Sequence, residues 1–301
     1  MNEVWNRGRC GRWLPAACLA LAGTLGCGPQ RVAVSSADAE AAGALRAKLV
    51  SATSGPTSAA DQVAGGTGWA TLAGRFVFAG TPAAPKPLTV DKDTEVCGKG
   101  GKLFDRSLLV DSASKGLANV VVFARKTSRV KTPVAGDVSP LVFDQKNCEF
   151  LSPVFAGRVG QPIDVRNSDP VGHNTNIAGT AFNQLIPAGA GTIYKPDAET
   201  GMPVMVTCNI HPWMKAYAVF RKDGYVAVSA ADGTFAIPDL PAGEMLEFQV
   251  WHERSAGPNG ALGLEKPDLK WTPKGRFQLK LQEDEIKDLG TLEVPAAAIG
   301  T

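Results

Sequence analysis

The chain has 301 residues, 44% of them hydrophobic and 20% charged, with a formal net charge of +2 at neutral pH. That composition excludes a disordered chain, the length allows two domains, and a charge so near zero gives no electrostatic case for binding nucleic acid. Gly and Pro, at 33 and 21 residues, separate short runs of Val, Phe, Ile and Thr, which is the pattern of an all-β protein.

In chain order, Arg7, Arg9 and Arg12 precede the apolar run WLPAACLALAGTL at residues 13–25. This run is too short to span a bilayer comfortably, and residues 1–27 have the order of a secretory signal. The tetrapeptide TLGC at 24–27 resembles a bacterial lipobox, with Thr where Leu is commoner. It implies cleavage before Cys27 and lipidation of that cysteine, with simple cleavage or an uncleaved anchor as alternatives. The expectation is export to the periplasm or cell envelope and a membrane tether through the lipid anchor. Losing Arg7, Arg9, Arg12 and Glu3 with the leader makes the remaining chain neutral. Residues 28–68, rich in Ala, Ser, Gly and Thr, read as a flexible linker, or as a short isolated helix around SADAEAAGALRAKLVSA.

From Trp69 the pattern changes to strands: GRFVFAG, NVVVFAR, PLVFD, QPIDVRN, MPVMVTC and AYAVF, divided by turn residues. A second set begins near Gly224, where ADGTF and DLPAGE supply Asp-Gly and Pro-Gly turns and suggest hairpins between consecutive strands. The boundaries expected are 69–222 for a first sandwich and 223–295 for a smaller second one. Cys97 and Cys148 could pair in an oxidising compartment or remain two buried thiols, leaving Cys208 as the odd cysteine.

The stretch CNIHPWMKA, residues 208–216, crowds a thiol, an imidazole and a thioether at three-residue intervals: Cys208, His211 and Met214. Such soft donors argue against Mg, Ca or Mn, and Zn has no use for Met, whereas copper accepts all three. A trigonal site of two His and one Cys with a weak axial Met needs a second imidazole from elsewhere. Of the three histidines, His173 in RNSDPVGHNTNI lies at the start of a strand-like run, while His252 in VWHER lies beyond this segment and is given no role.

Two phrases, VGQPIDVRNSDPVGHNTNI and VTCNIHPWMKAYAVF, resemble those of the cupredoxins, and the short spacing from Cys to Met is similar to that of amicyanin. The resemblance implies a Greek-key β-sandwich with one type 1 copper ion held by His173, Cys208, His211 and Met214. It also implies that Asn174 fixes the ligand loop, that Pro212 and Trp213 stiffen it, and that His211 reaches the surface where a redox protein partner docks. DGTFAIPDLPAG, residues 232–243, resembles the carboxypeptidase regulatory-like or transthyretin-like sandwich. The pairing of the two modules is similar to secreted bacterial cupredoxin-containing proteins of the methylamine-utilisation type. Because LAGRFVFAG and LANVVVFAR also look like opening strands of the second module, the copper domain could instead be an insertion in it.

The function these features imply is one-electron transfer without enzyme activity. The alternatives are a non-redox copper-binding protein, an adhesive or carbohydrate-binding one, or an accessory of polysaccharide-processing enzymes. P-loop, dinucleotide-binding, G-x-S-x-G and H-E-x-x-H motifs are absent from the sequence. Asp164, Asp169 and the QEDE run read as solvated surface.

Overall fold

The computed structural model describes residues 68–131 and 139–300. The leader, Cys27 and all of the linker but Gly68 lie outside the described residues. The fold is all-β, and among the described residues the one α-helical element is a single turn, Thr94–Cys97.

β1 (Trp69–Ala79) turns Ala70, Leu72, Phe76 and Phe78 inward at a spacing of two, as a strand with one covered face should. β2 (Val121–Ala124) is buried along its whole length. The reason is that Val122 and Ala124 enter one core while Val121 and Phe123 enter another, so a continuous apolar run reads as a strand covered on both faces.

Nine strands follow: β3 (Leu141–Lys146), β4 (Glu149–Phe150), β5 (Val154–Arg158), β6 (Ile163–Asn167), β7 (His173–Ile177), β8 (Asn183–Ile186), β9 (Gly191–Tyr194), β10 (Val204–Thr207) and β11 (Lys215–Arg221). They form two sheets, in the orders β4-β3-β6-β9 and β5-β11-β10-β7-β8. The pairs β3–β6 and β5–β11 are parallel, so the chain crosses between sheets rather than meandering. Phe143, Phe155, Phe220, Ile163, Val165 and Val206 fill the space between them. Phe143 lies 4.6 Å from Phe155 and 5.0 Å from Phe150, ring to ring. Each fully buried Phe of this kind contributes about 1.5–3 kcal/mol.

The chain then adds β12 (Val226–Val228), β13 (Thr234–Pro241), β14 (Met245–Trp251), β15 (Arg276–Lys280) and β16 (Ile286–Pro295). These do not stand alone. β1 lies between β13 and β16, and β2 between β12 and β14, with β15 at the edge. The division at residue 222 is therefore corrected. The first two strands belong with the last five, and β3–β11 form a sandwich inserted between them, because β13, β16, β12 and one edge of β14 find their ladder partners in β1 and β2.

The expected hairpins are corrected too. The Asp-Gly turn is present, with Gly233 at φ +84 and so close to β1 that an added Cβ would meet the Phe76 carbonyl at 2.0 Å. Yet β12 and β13 lie in different sheets, as do β13 and β14, so both turns carry the chain across the sandwich. A tight two-residue hairpin does join β3 to β4 through Asn147 and Cys148, both at φ +55, the left-handed pair that such a turn demands.

Val121, Phe123, Val154, Val219, Val228 and Trp251 form a shared core between the two sandwiches, with Tyr217 packed 4.8 Å from Trp251. Residues 80–119, between β1 and β2, form a strap. Val90, Val96 and Leu103 of this strap lie against the inserted core, and a disulfide ties Cys97 to Cys148.

Candidate metal centre

β10 pairs antiparallel with β7 on one side and β11 on the other, with Thr207 opposite both Asn176 and Lys215. This pairing brings the loop of residues 208–214 out at the sheet end where β7 begins with His173. Inside the loop, the Cys208 N–H donates to the Met214 carbonyl (3.3 Å) and the Met214 N–H to the His211 carbonyl (2.9 Å). The other loop is set by Asn167. Its Nδ2 donates to the carbonyls of Val171, Ile186 and Pro187, and its Oδ1 accepts from the Asp169 N–H.

His173 Nδ1 and His211 Nδ1 face each other at 2.9 Å, and Cys208 Sγ lies 3.7 Å from His211 Nδ1. The three donor atoms all fall within 4.8 Å of one another. Both imidazoles are 0% exposed, and Cys208 and Met214 are 2% exposed. Two further groupings in this region include Cys97 or Cys148. Those sulfurs are joined to each other and are not thiolates, so His173, Cys208 and His211 are the set suited to a soft metal, with buried Met214 in the same loop.

The sulfur accepts the backbone N–H groups of Asn174 (3.3 Å) and His211 (3.4 Å). Asn174 also holds the ligand loop directly. Its Oδ1 accepts from the Asn209 N–H at 3.1 Å, and its Nδ2 donates to Asn183 Oδ1 and the Gln184 carbonyl. Trp213 donates Nε1–H to the Cys148 carbonyl at 3.0 Å and lies 5.1 Å from the His211 ring, while Pro212 is exposed.

Two carboxylates complete the arrangement, and neither was assigned a role from sequence. Asp169, read there as solvated, is 5% exposed, and its Oδ2 takes His173 Nε2 at 2.7 Å. It also accepts the N–H groups of Asn147 and Cys148 at 2.7 Å each, which supports the left-handed turn there. Its place four residues before His173 in NSDPVGH was the available signal. The second is Asp93, whose Oδ2 takes His211 Nε2 at 2.8 Å from the strap. It lies 118 residues from His211, and no local pattern links the two. His211 is consequently not the surface histidine expected from the resemblance, because the strap and the Asp93 carboxylate cover its ring.

Carboxylates accept only, so each ring carries a proton on Nε2 and turns Nδ1 toward the other ring and the sulfur. Burial pulls the His173 imidazolium down, but the Asp169 carboxylate and Cys208 outweigh it and raise its pKa to about 9. Burial pushes the Cys208 thiol up. The His173 ring and the N–H groups of Asn174, His211 and Ile210 outweigh this and lower it to about 6. Asp169 is held below the usual carboxylate range, its burial being offset by His173 and the N–H groups of Cys148 and Asn147.

In the metal-free chain, the Cys208 thiolate absorption in the ultraviolet is expected to appear near pH 6 rather than near the ordinary 9.0. The depressed thiol stabilises the fold above the unfolded value of 9.0, and that contribution is lost as pH falls through about 6. The raised His173 stabilises it below 6.5, and that is lost as pH rises through about 9. The imidazolium–thiolate pair therefore occupies the window between those two folded-state values. An absorbance step that stays near pH 9 in difference spectra against Cys208→Ser would contradict the pair.

Neither a family model nor a curated protein matches the chain. Among solved structures, it is similar to a reduced amicyanin mutant at 16% identity, covering 33% of this chain and 98% of that one, with a TM-score of 0.24. It is similar to an oxidised amicyanin mutant at 18% identity, with coverages of 33% and 98% and a TM-score of 0.24. A copper-containing nitrite reductase from Thermus scotoductus is similar at 16% identity, covering 31% of this chain and 24% of that one, with a TM-score of 0.25. These likenesses are slight, and the site is assigned from its own geometry.

Proposed function

We propose that the inserted sandwich holds one copper ion in a type 1 site and passes single electrons, in a protein exported to the cell envelope and tethered there through Cys27. The observation that carries this reading is the convergence of His173 Nδ1, His211 Nδ1 and Cys208 Sγ in a buried pocket, with Met214 in the same loop. When bound, copper supplies exchange between its monovalent and divalent states. The chain's own residues supply the rest. His173, His211 and Cys208 would hold the ion with Met214 as a weaker fourth donor, and the N–H groups of Asn174 and His211 would moderate the charge on sulfur.

Both rings are held by carboxylates and the sulfur by two N–H groups, so the donor set is fixed before metal arrives. A fixed set needs little rearrangement when the charge on the ion changes, which keeps the barrier to electron transfer low. A buried site in which Met214 would complete the three converging donors leaves no position for a substrate, which argues for a carrier rather than an enzyme. A redox protein is proposed to dock at the loop end, against exposed Pro212 and half-buried Trp213 rather than on the covered His211 ring. The outer sandwich acts as the scaffold from which the strap reaches the site.

The test is the visible and EPR spectrum of the copper-loaded chain. An intense thiolate-to-copper charge-transfer band with narrow copper hyperfine splitting is the expected result. A colourless protein that binds zinc as well as copper would instead favour a non-redox metal-binding or adhesive role.

A further inference from the structure

Asp93 has an unusual backbone for its place in the fold. It precedes the helical turn Thr94–Cys97, where an aspartate ordinarily caps through its side chain, yet here no side-chain cap bond forms. The backbone carbonyl does that work instead, accepting the N–H groups of Val96 (2.9 Å) and Cys97 (2.8 Å). Asp93 sits in the left-handed region at φ 46, ψ 41, a conformation that costs a non-glycine residue about 1–3 kcal/mol and persists only when its surroundings enforce it. The freed carboxylate points at His211 Nε2, 2.8 Å away, while remaining 43% exposed on its other side.

The surroundings do enforce it. Cys97, four residues on, is bonded to Cys148. The Cys148 N–H is held by Asp169, and its carbonyl accepts from Trp213 of the ligand loop. Val90 and Val96 pack on the inserted core on either side of Asp93. The strap is thus fastened to both ligand loops through one turn, and Asp93 carries a charged contact from it to His211.

We propose that Asp93 is a positioning residue of the metal centre, lent by the outer sandwich, which locks the His211 ring with Nδ1 toward Cys208 and strengthens that nitrogen as a donor to the higher-charged state of the ion. The proposal rests on the copper reading above. A negative group one ring beyond the ligand atom favours the divalent ion over the monovalent one, so Asp93 holds the reduction potential down. It also closes the ring edge against water.

The experiment compares the full chain with Asp93→Asn, which keeps shape and an acceptor oxygen but not the charge, and with Asp93→Ala. Divalent and monovalent copper affinities are measured by chelator competition, the potential by redox titration, and the His211 tautomer by histidine 15N spectra of the metal-free chain. Asp93→Ala is expected to lose about 10–100-fold in affinity for divalent copper, with less loss for the monovalent ion and a higher potential. It should also lose the single Nε2–H tautomer of His211. Asp93→Asn should fall between Asp93→Ala and the unmodified chain in affinity and potential. Unchanged affinities, potential and tautomer in Asp93→Ala overturn the proposal. Absence of the charge-transfer band in the unmodified chain overturns the copper reading instead, and the tautomer comparison then decides the positioning role.

Discussion

Cys208→Ser is expected to abolish the visible charge-transfer band of the copper-loaded protein, the largest single effect of any substitution at the site. The band requires a thiolate, and a serine hydroxyl is a hard, protonated group that cannot take that place among two imidazoles and a thioether. The metal-free fold should weaken as well, because the Asn174 and His211 N–H groups exchange a sulfur acceptor for a neutral hydroxyl on a shorter bond and His173 loses the anion that helps raise its pKa. Weakening such buried hydrogen bonds costs about 0.5–1.5 kcal/mol each, measurable as a lower denaturant midpoint. A variant that keeps an intense band would remove Cys208 from the ligand set.

The second large effect concerns the disulfide. Cys97 and Cys148 are 51 residues apart in sequence, so breaking the bond frees a long loop in the unfolded chain and is expected to cost roughly 2–4 kcal/mol. The double replacement Cys97→Ser with Cys148→Ser should lower the urea midpoint by that free energy divided by the denaturant slope, and reductant added to the unmodified chain should produce a similar shift. Because the bond holds the strap that carries Asp93, the variant should also lose the single tautomer of His211. An unchanged midpoint in both experiments would mean that the core packing of Val90, Val96 and Leu103 secures the strap without the covalent link.

Much of the donor set was legible from local pattern. Cys208, His211 and Met214 fall in seven residues, and a loop between two paired strands folds that closely because the antiparallel register of β10 and β11 leaves no alternative. His173 was identifiable because it follows a strand-like run, and the candidates were only three. Strand content was equally legible, since runs such as NVVVFAR alternate or fill both faces of a sheet. The partners of those strands were not. A strand's sequence records how its faces are covered but not which edge lies beside it, so β1 and β2 looked as suited to the copper domain as to the later strands with which they pair. For the same reason, Asp-Gly and Pro-Gly turns indicated where the chain bends without indicating whether the next strand stays in the same sheet.

What the sequence by itself determined is therefore the class of fold and the chemistry available: short strands, a soft donor set and three cysteines beyond the leader. Only the tertiary structure decided which carboxylates serve that chemistry. Asp169 is a solvated residue by composition and a buried partner of His173 by position. Asp93 reaches His211 because the strap returns across the molecule and is bonded down at Cys148. Charge and hydrogen bonding act over a few ångströms of space, and a contact spanning 118 residues leaves no periodicity for a sequence to carry.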